Sequence, residues 1–282
     1  LLGGSTYRVT NIQGTRVNVN SVTGYRPTVP SWSGEARSRS RELSKALLDL
    51  IGHTVNSLRR QNDPRVVLRD AYGLGEGVSN TIARHLEEHT LDSFQVPDPN
   101  RLIVEQIVSG GMPTYLITSC RGRGFNTALG YFMAGLAEQD GIAVLELSFD
   151  ENGLLIKTSQ EVDPRRMYDS FQSNDHIEVI ERYIVSTQIF AKRFREVAGR
   201  SLIIPKRIGA EEVSPQQFQQ RADALLQRHR SMEDSLLIKE AKAEIMHGDI
   251  DIKSLNEFLQ LTKESEARIV HTKVPVPSRL GM

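Results

Sequence analysis

The first pattern along the chain is an alternation of apolar and polar residues over residues 6–24, interrupted at Gly14. A repeat of two residues places successive side chains on opposite faces of a strand, and a glycine between two such runs favours a turn. The pattern therefore predicts a β-hairpin with one buried face. The apolar positions of that face are Tyr7, Val9, Ile12, Val17 and Val19.

From Leu43 to about Leu58 the apolar positions recur every three or four residues. This spacing predicts an amphipathic helix, which Ser38 or Ser40 can cap. Similar spacing, with capping residues, prolines and glycines at several boundaries, predicts further helices. They cover residues 78–90, 127–139, 175–185, 189–202, 216–229, 234–247 and 251–261, and a short one begins at Asp163-Pro164.

Short apolar runs predict strands between these helices. The runs are 102–104, 115–117, 142–147, 154–157 and 268–274. Strands are therefore concentrated in residues 1–162, with inserted helices, whereas residues 163–282 are mainly helical. We predict an α+β fold in which these two parts form one compact unit. The short, tightly broken helices of the second part resemble winged-helix or helix-turn-helix modules.

The composition is that of a globular protein with a real core. Of the 282 residues, 39% are apolar and 25% are charged. No apolar run approaches the roughly 18 residues of a membrane span. The single cysteine, Cys120, excludes an internal disulfide and fits a reducing compartment. Because LLGGSTYRV enters a strand directly, we expect the chain to be a piece of a longer protein or a split subunit.

The formal net charge is zero, but the charges are unevenly distributed. Residues 1–60 and 186–210 carry an excess of arginine and lysine, and residues 138–181 carry an excess of aspartate and glutamate. This separation indicates one surface for a polyanion and another for a partner or for solvent.

The only tryptophan, Trp32, lies among arginines in the segment PSWSGEARSRS. An indole ring can stack on an unpaired base while guanidinium groups bind phosphates, so the segment suits a nucleic-acid strand. Packing of the ring in the core, with solvated arginines, is the alternative that these residues alone leave open. The arginines are Arg26, Arg37, Arg39 and Arg41.

The segment SCRGRGFN, which leads from a predicted strand into a helix, is a second candidate. Arg121, Arg123 and the amide groups of the turn can bind phosphate at a helix N-terminus. A structural turn with Asn126 as the helix cap is the alternative. Cys120 is interpreted as a buried thiol.

The cationic side of the helix at 189–202 is a third candidate. The helix has four cationic residues and one acidic residue, Glu196. This excess of positive charge is larger than solubility requires. Nucleic-acid contact and a solvated face are both compatible with this pattern. The cations are Lys192, Arg193, Arg195 and Arg200.

Motifs for metal and nucleotide chemistry are incomplete. His85, Glu88 and His89 match the H-x-x-E-H pattern of some metal hydrolases, but no motif supplies a third ligand. We therefore interpret them as a helix face and predict no metal site.

The sequence contains no G-x-x-x-x-G-K-[ST] loop and no DExH box, so we predict no catalytic residue and no ATP hydrolysis by this chain.

Taken in order, several segments resemble the DEAD/H-associated region that follows the motor of Lhr-type (large helicase-related) ATP-dependent helicases. They are LLGGSTYRV, TRVNVNSVTG, PSWSGEARSRSREL, FQVPDPNRLIVEQ, TYLITSCRGRGFNTALGYFMAGLA, IFAKRFREVAGRSLIIPK, QQFQQRADALLQ and IKEAKAEIMHGDIDIKSLNEFL. The family's P-x-W-x-G-E motif falls on Trp32, which is then expected to contact the tracked strand. His89 stands where the family usually has glutamine, which weakens the zinc interpretation.

The resemblance implies a β-barrel-like module of mostly antiparallel strands joined to winged-helix elements, similar to AlkZ-type DNA glycosylases. It implies a superfamily 2 helicase that moves 3′ to 5′ on single-stranded DNA and unwinds duplexes, including RNA–DNA hybrids, in DNA repair. The motor, with its ATP and magnesium, would be fused to this chain or would be a separate subunit. The expected setting is cytoplasmic and nucleoid-associated, without a membrane partner.

Two functions of different class follow. The first is a non-catalytic domain that grips the strand, with Trp32 against a base and cations on phosphates. The alternative is a glycosylase-like repair module, which needs a carboxylate or glutamine to activate water beside a flipped base. No motif or residue spacing in the sequence identifies one particular carboxylate or glutamine for this role. A protein-interaction module that uses the acidic stretch 138–181 is a third option.

Overall fold

The structure is a computed structural model that describes residues 7–13, 16–22, 38–90, 95–109, 111–162, 169–170, 175–205, 207–208, 211–230, 232 and 234–278. Contacts divide the chain into two compact units, Leu1–Arg37 and Ser38–Met282. The sequence-based division after residue 162 stays a prediction.

The first unit contains the predicted β-hairpin. Strand β1 (Tyr7–Gln13) pairs antiparallel with strand β2 (Arg16–Ser21). The prediction of a buried face is wrong for the described side chains, which are exposed. A two-stranded sheet has too little surface to bury one of its own faces. The exposed apolar side chains are Tyr7, Val9, Val17 and Val19.

The second unit is built on a five-stranded sheet. The remaining strands of the chain are β3 (Arg101–Ile107), β4 (Thr114–Thr118), β5 (Val144–Phe149), β6 (Gly153–Thr158), β7 (Arg207–Ile208), β8 (Glu211–Glu212) and β9 (Arg268–Val274). The sheet has the order β5-β6-β4-β3-β9, and β7 and β8 form a separate pair. Strand β9 runs parallel to β3, whereas the other neighbours are antiparallel.

The sheet is open, so the β-barrel that the resemblance implied is wrong for the described residues. Strands β5 and β9 form its two edges, and a barrel would require these edges to pair. Apolar runs predict where strands lie, but closure depends on strand tilt and stagger, which a local pattern does not encode. The α+β class and the antiparallel pairs β3–β4 and β5–β6 are confirmed. The winged-helix elements stay a prediction.

The second unit also contains helices. They are α1 (Arg41–Arg59), α2 (Pro64–Asp70), α3 (Glu76–Thr90), α4 (Arg123–Gln139), α5 (His176–Ile184), α6 (Gln188–Arg200), α7 (Pro215–Arg230), α8 (Leu236–Glu244) and α9 (Ile252–Lys263). Ser40 caps α1, as the sequence predicts, and Thr187 caps α6. A π-helical turn, Ile245–Asp249, follows α8 where the sequence pattern predicts continued α-helix. None of the described helices has the length and apolar character that crossing a membrane demands.

Helix α4 packs on one face of the sheet and forms the centre of the main core. Phe125, Leu129 and Phe132 of α4 are buried in the same cluster as Val104 of β3 and Ile117 of β4. This packing fixes the position of α4 over the sheet. The two ends of α4 carry the features that bear on function.

A smaller core joins α1 and α3 to the segment that precedes α4. Its buried members are Leu48, Ile51, Val55, Leu86, Val96 and Cys120. The interpretation of Cys120 as a buried thiol is therefore confirmed.

Candidate nucleic-acid interface

The predicted nucleic-acid-binding residues fall into three groups. Trp32, Arg26 and Arg37 lie outside the described residues, so their contacts stay predictions. A second group surrounds the N-terminus of α4, and a third lies on α6. The second group is Arg39, Arg41, Arg121 and Arg123, and the third is Lys192, Arg193, Arg195 and Arg200.

The N-terminus of α4 is held against the turn between β5 and β6. The N–H groups of Ser119 and Cys120 both donate to the carbonyl oxygen of Asn152, at 2.9 and 2.7 Å. Gly122 precedes α4 with φ at +94°, and a Cβ there would stand 3.2 Å from the Arg39 carbonyl oxygen. Only glycine adopts this backbone angle without strain, so Gly122 allows the two segments to approach.

Glu151 supplies negative charge at the N-terminus of α4. Its Oε2 accepts the backbone N–H of Arg39 at 3.0 Å and that of Arg123 at 3.1 Å. Unpaired N–H groups of a first helical turn attract such a charge. The backbone N–H of Arg123, a candidate for phosphate, is therefore occupied by a carboxylate of the protein. Local sequence patterns do not reveal this contact, because 112 residues separate Glu151 from Arg39.

Among the described residues, no carboxylate forms an ion pair with the side chain of Arg39 or Arg123. Arg39 Nη2 donates to Asn152 Oδ1, a neutral acceptor, at 3.0 Å, and Arg123 is exposed. Within the described part of the chain, neither guanidinium takes part in an ion pair. Arg41 differs, since its guanidinium pairs with Glu257 of α9.

Arg121 makes its described contacts inside the protein. Its guanidinium carbon lies 5.2 Å from the ring centre of Phe125 and 4.7 Å from that of Phe258, and Nη2 donates to the carbonyl oxygen of Pro99. Burial lowers the pKa of this arginine to about 10, which leaves it charged at neutral pH. The guanidinium group thus makes cation–π contacts with one ring of α4 and one ring of α9. A phosphate contact of Arg121 stays a prediction.

On α6, Arg193 is held by two carboxylates. It donates to both oxygens of Asp249, at 2.8 and 2.6 Å, and to Glu196 at 2.8 Å. The hydrogen bonds to Asp249 are the main reason that the pKa of Arg193 is raised. A phosphate at this position would have to displace a charge-assisted, two-oxygen contact.

Two other arginines of α6 also have acidic partners. Arg195 lies 3.9 Å from Asp223, and Arg200 pairs with Glu244. Lys192 is exposed. The cationic side of α6 is therefore largely compensated by charges from other helices, which the sequence of α6 alone does not reveal.

Asn126 does not cap α4, so that alternative is wrong. Gly122 is the capping residue, and Asn126 lies buried within the helix. Asn126 Nδ2 donates to the carbonyl oxygen of Asp150 at 2.9 Å, while Ser119 donates to Asn126 Oδ1.

Burial raises the pKa of the Cys120 thiol to about 11, so this thiol is neutral at physiological pH.

The two histidines of the H-x-x-E-H pattern have different environments. His89 is buried, with Nε2 lying 3.0 Å from the Gln95 carbonyl oxygen, whereas His85 is exposed. Among the described residues, no group of three or more His, Cys, Asp or Glu side chains is placed to hold a metal ion.

Relatives match almost the whole chain. It is 28% identical to ATP-dependent helicase Lhr-Core protein 2 of Thermococcus barophilus, over 99% of this chain and 32% of that protein. It is 25% identical to ATP-dependent helicase Lhr-Core of Methanothermobacter thermautotrophicus, over 98% of this chain and 33% of that protein. The chain therefore spans about a third of the length of these curated relatives.

A solved structure has the same fold. The helicase Lhr of Mycobacterium smegmatis, bound to single-stranded DNA and AMP-PNP, matches with a TM-score of 0.72 at 21% identity, over 92% of this chain and 33% of that chain. The family described as DEAD/H associated matches residues 96–281. That range contains α4, the whole five-stranded sheet and the later helices. The resemblance drawn from the sequence is thus confirmed, and the chain belongs to the DEAD/H-associated family.

Proposed function

We propose that this chain is the nucleic-acid-binding part of an Lhr-type helicase and grips single-stranded DNA while a motor pulls the strand. The supporting observation is the similarity of its fold to an Lhr helicase solved with single-stranded DNA. The motor would hydrolyse ATP with magnesium and move 3′ to 5′ in DNA repair, on DNA duplexes or RNA–DNA hybrids. Motor domains would be present in the same polypeptide or as a separate subunit.

The proposed strand contacts lie near the N-terminus of α4. Among the described residues, Arg39 and Arg123 have no acidic partner in an ion pair, whereas Arg193 and Arg200 of α6 have such partners. Phosphate oxygens are suitable ligands for such guanidinium groups. Trp32 precedes Arg39 by seven residues in the sequence and would stack on a base of the same strand.

Replacing both Arg39 and Arg123 with glutamine is expected to weaken the binding of single-stranded DNA roughly tenfold at low salt, because two phosphate contacts are lost. For the same reason, the slope of log K against log salt should become shallower by about 1.4. Fluorescence anisotropy of a labelled oligonucleotide at several salt concentrations measures both quantities.

Arg200→Gln is the matched control, since it removes an arginine that already pairs with Glu244. It should change the affinity by no more than about twofold. A larger loss in this control than in the double variant would place the strand on α6 instead. An unchanged salt slope in a folded double variant would refute the contacts proposed for Arg39 and Arg123.

A second proposal is a glycosylase-like repair module that acts on a flipped base. Its support is that relatives from Mycolicibacterium smegmatis and Escherichia coli are named Lhr helicase/probable uracil glycosylase and Lhr helicase/uracil glycosylase. This chain covers 18% of each of those proteins, at 26% and 23% identity.

Incubation with a uracil-containing single strand, without ATP, separates the two proposals. A domain that only grips the strand should leave no alkali-labile sites, because no base is removed. Accumulation of such sites in proportion to enzyme concentration would establish base excision.

A further inference from the structure

A cavity of about 110 Å³ lies between the C-terminal half of α4 and the sheet. Its walls are mostly apolar. They include Val104 of β3, Tyr115 of β4, Ile156 of β6, and Met133 and Ala137 of α4. An engineered apolar cavity of about 150 Å³ binds benzene, so a space of this order suits a ligand with one six-membered ring.

His271 of β9 places a polar group at one side of this cavity. It pairs with Val104 in the sheet and lines the same space. Its Nε2 is buried and has no hydrogen-bond partner among the described residues. Nearly all buried polar atoms in proteins have a partner, so this nitrogen is available to a hydrogen-bonding group that enters the cavity. Burial, and next the charge of Lys273, lower the pKa of His271, so its ring is neutral at pH 7 and one ring nitrogen can donate while the other accepts.

Two further polar residues line the cavity, and both are exposed to solvent. They are Gln139 and Asp140, at the C-terminal end of α4. The cavity therefore combines apolar faces with polar groups at its edges. A flat ring with apolar faces and with N–H and C=O groups along its edge matches this arrangement, whereas a purely aliphatic ligand would leave Nε2 of His271 unpaired.

We propose that this cavity binds a single-ring heteroaromatic ligand of the pyrimidine-base class, with the polar edge of the ring against His271. The site is separate from the proposed strand contacts. Those contacts lie at the N-terminal end of α4, whose 17 residues span about 25 Å. The binding of a free base does not require strand binding, so either proposal can fail without the other.

The test uses free cytosine, uracil and thymine, with adenine as a control for size. Titration followed by NMR chemical shifts should give saturable binding of a pyrimidine with a dissociation constant of about 1 mM, ordinary for so few atoms. Adenine, which has two fused rings, should not bind. No saturable pyrimidine binding by the folded protein, or equal binding of adenine, would overturn the proposal.

Two variants test the position of the ligand. His271→Phe keeps a ring but removes its nitrogens, and should weaken pyrimidine binding about tenfold. Ala137→Leu fills the cavity and should abolish binding. His247→Phe is the matched control, because His247 is exposed and does not line this cavity, and it should bind like the wild type. Wild-type affinity in folded His271→Phe would overturn the proposal even if Ala137→Leu failed to fold.

The base could come from solution or from a bound strand, and Ala137→Leu separates these sources. If it abolishes thymine binding but leaves the affinity for a thymine oligonucleotide unchanged, the ligand is a free base. If both affinities fall together, the ligand is a base of the strand.

Discussion

Trp32→Ala is expected to weaken the binding of single-stranded DNA by at least about fivefold, because base–aromatic stacking contributes about 1–3 kcal/mol per base. This substitution should weaken binding more than the replacement of Arg39 or of Arg123 alone. Fluorescence anisotropy with a labelled oligonucleotide measures the affinity, and urea denaturation of the same variant measures its stability.

Trp32→Phe is the matched control, since a phenyl ring retains a stacking face. It should lose less than about threefold in affinity. If Trp32→Ala binds as tightly as the wild type while remaining folded, the ring does not contact the strand. If the variant instead loses stability by several kcal/mol, as removal of a buried tryptophan does, the ring is part of a core.

Gly153→Ala is expected to lower the free energy of unfolding by about 3 kcal/mol. Gly153 begins β6 opposite Thr118 of β4, and a Cβ at this position would stand 2.3 Å from the carbonyl oxygen of Ile117. No side-chain rotation relieves that contact, so the backbones of β4 and β6 must separate. The adjacent Glu151 and Asn152 would move with the turn, and affinity for a strand should fall as well.

Gly52→Ala provides the control for the loss of a glycine. Gly52 lies within α1, and a Cβ there would meet no atom within 4 Å. The change should be neutral or should stabilise the protein by about 0.5–1 kcal/mol, because alanine favours a helix. Equal urea midpoints for Gly153→Ala and the wild type would contradict the close approach of β4 and β6.

The candidate interface was predicted only in part. The backbone N–H groups of Arg39 and Arg123, which belong to two separate sequence candidates, meet at Glu151, a residue that the sequence patterns did not single out. Glu151 lies in the turn between β5 and β6, and nothing in the residue types of that turn indicates that it contacts the N-terminus of α4. Arg121 looked equivalent to Arg123 in sequence and proved to lie against Phe125 and Phe258.

The sequence by itself determined where most helices and strands lie and which family the chain belongs to. Helix α1 was predicted from about residue 43 to 58 and extends over Arg41–Arg59, and β9 has the predicted bounds, Arg268–Val274. Such predictions succeed because apolar periodicity and capping act over a few neighbouring residues.

Only the tertiary structure decided that the sheet is open, that Arg193 and Arg200 have acidic partners, and that His271 faces a cavity. Each of these features joins residues far apart in the chain. Burial and electrostatic pairing depend on which helices and strands pack together. The sequence pattern of one helix or strand does not determine its packing partner.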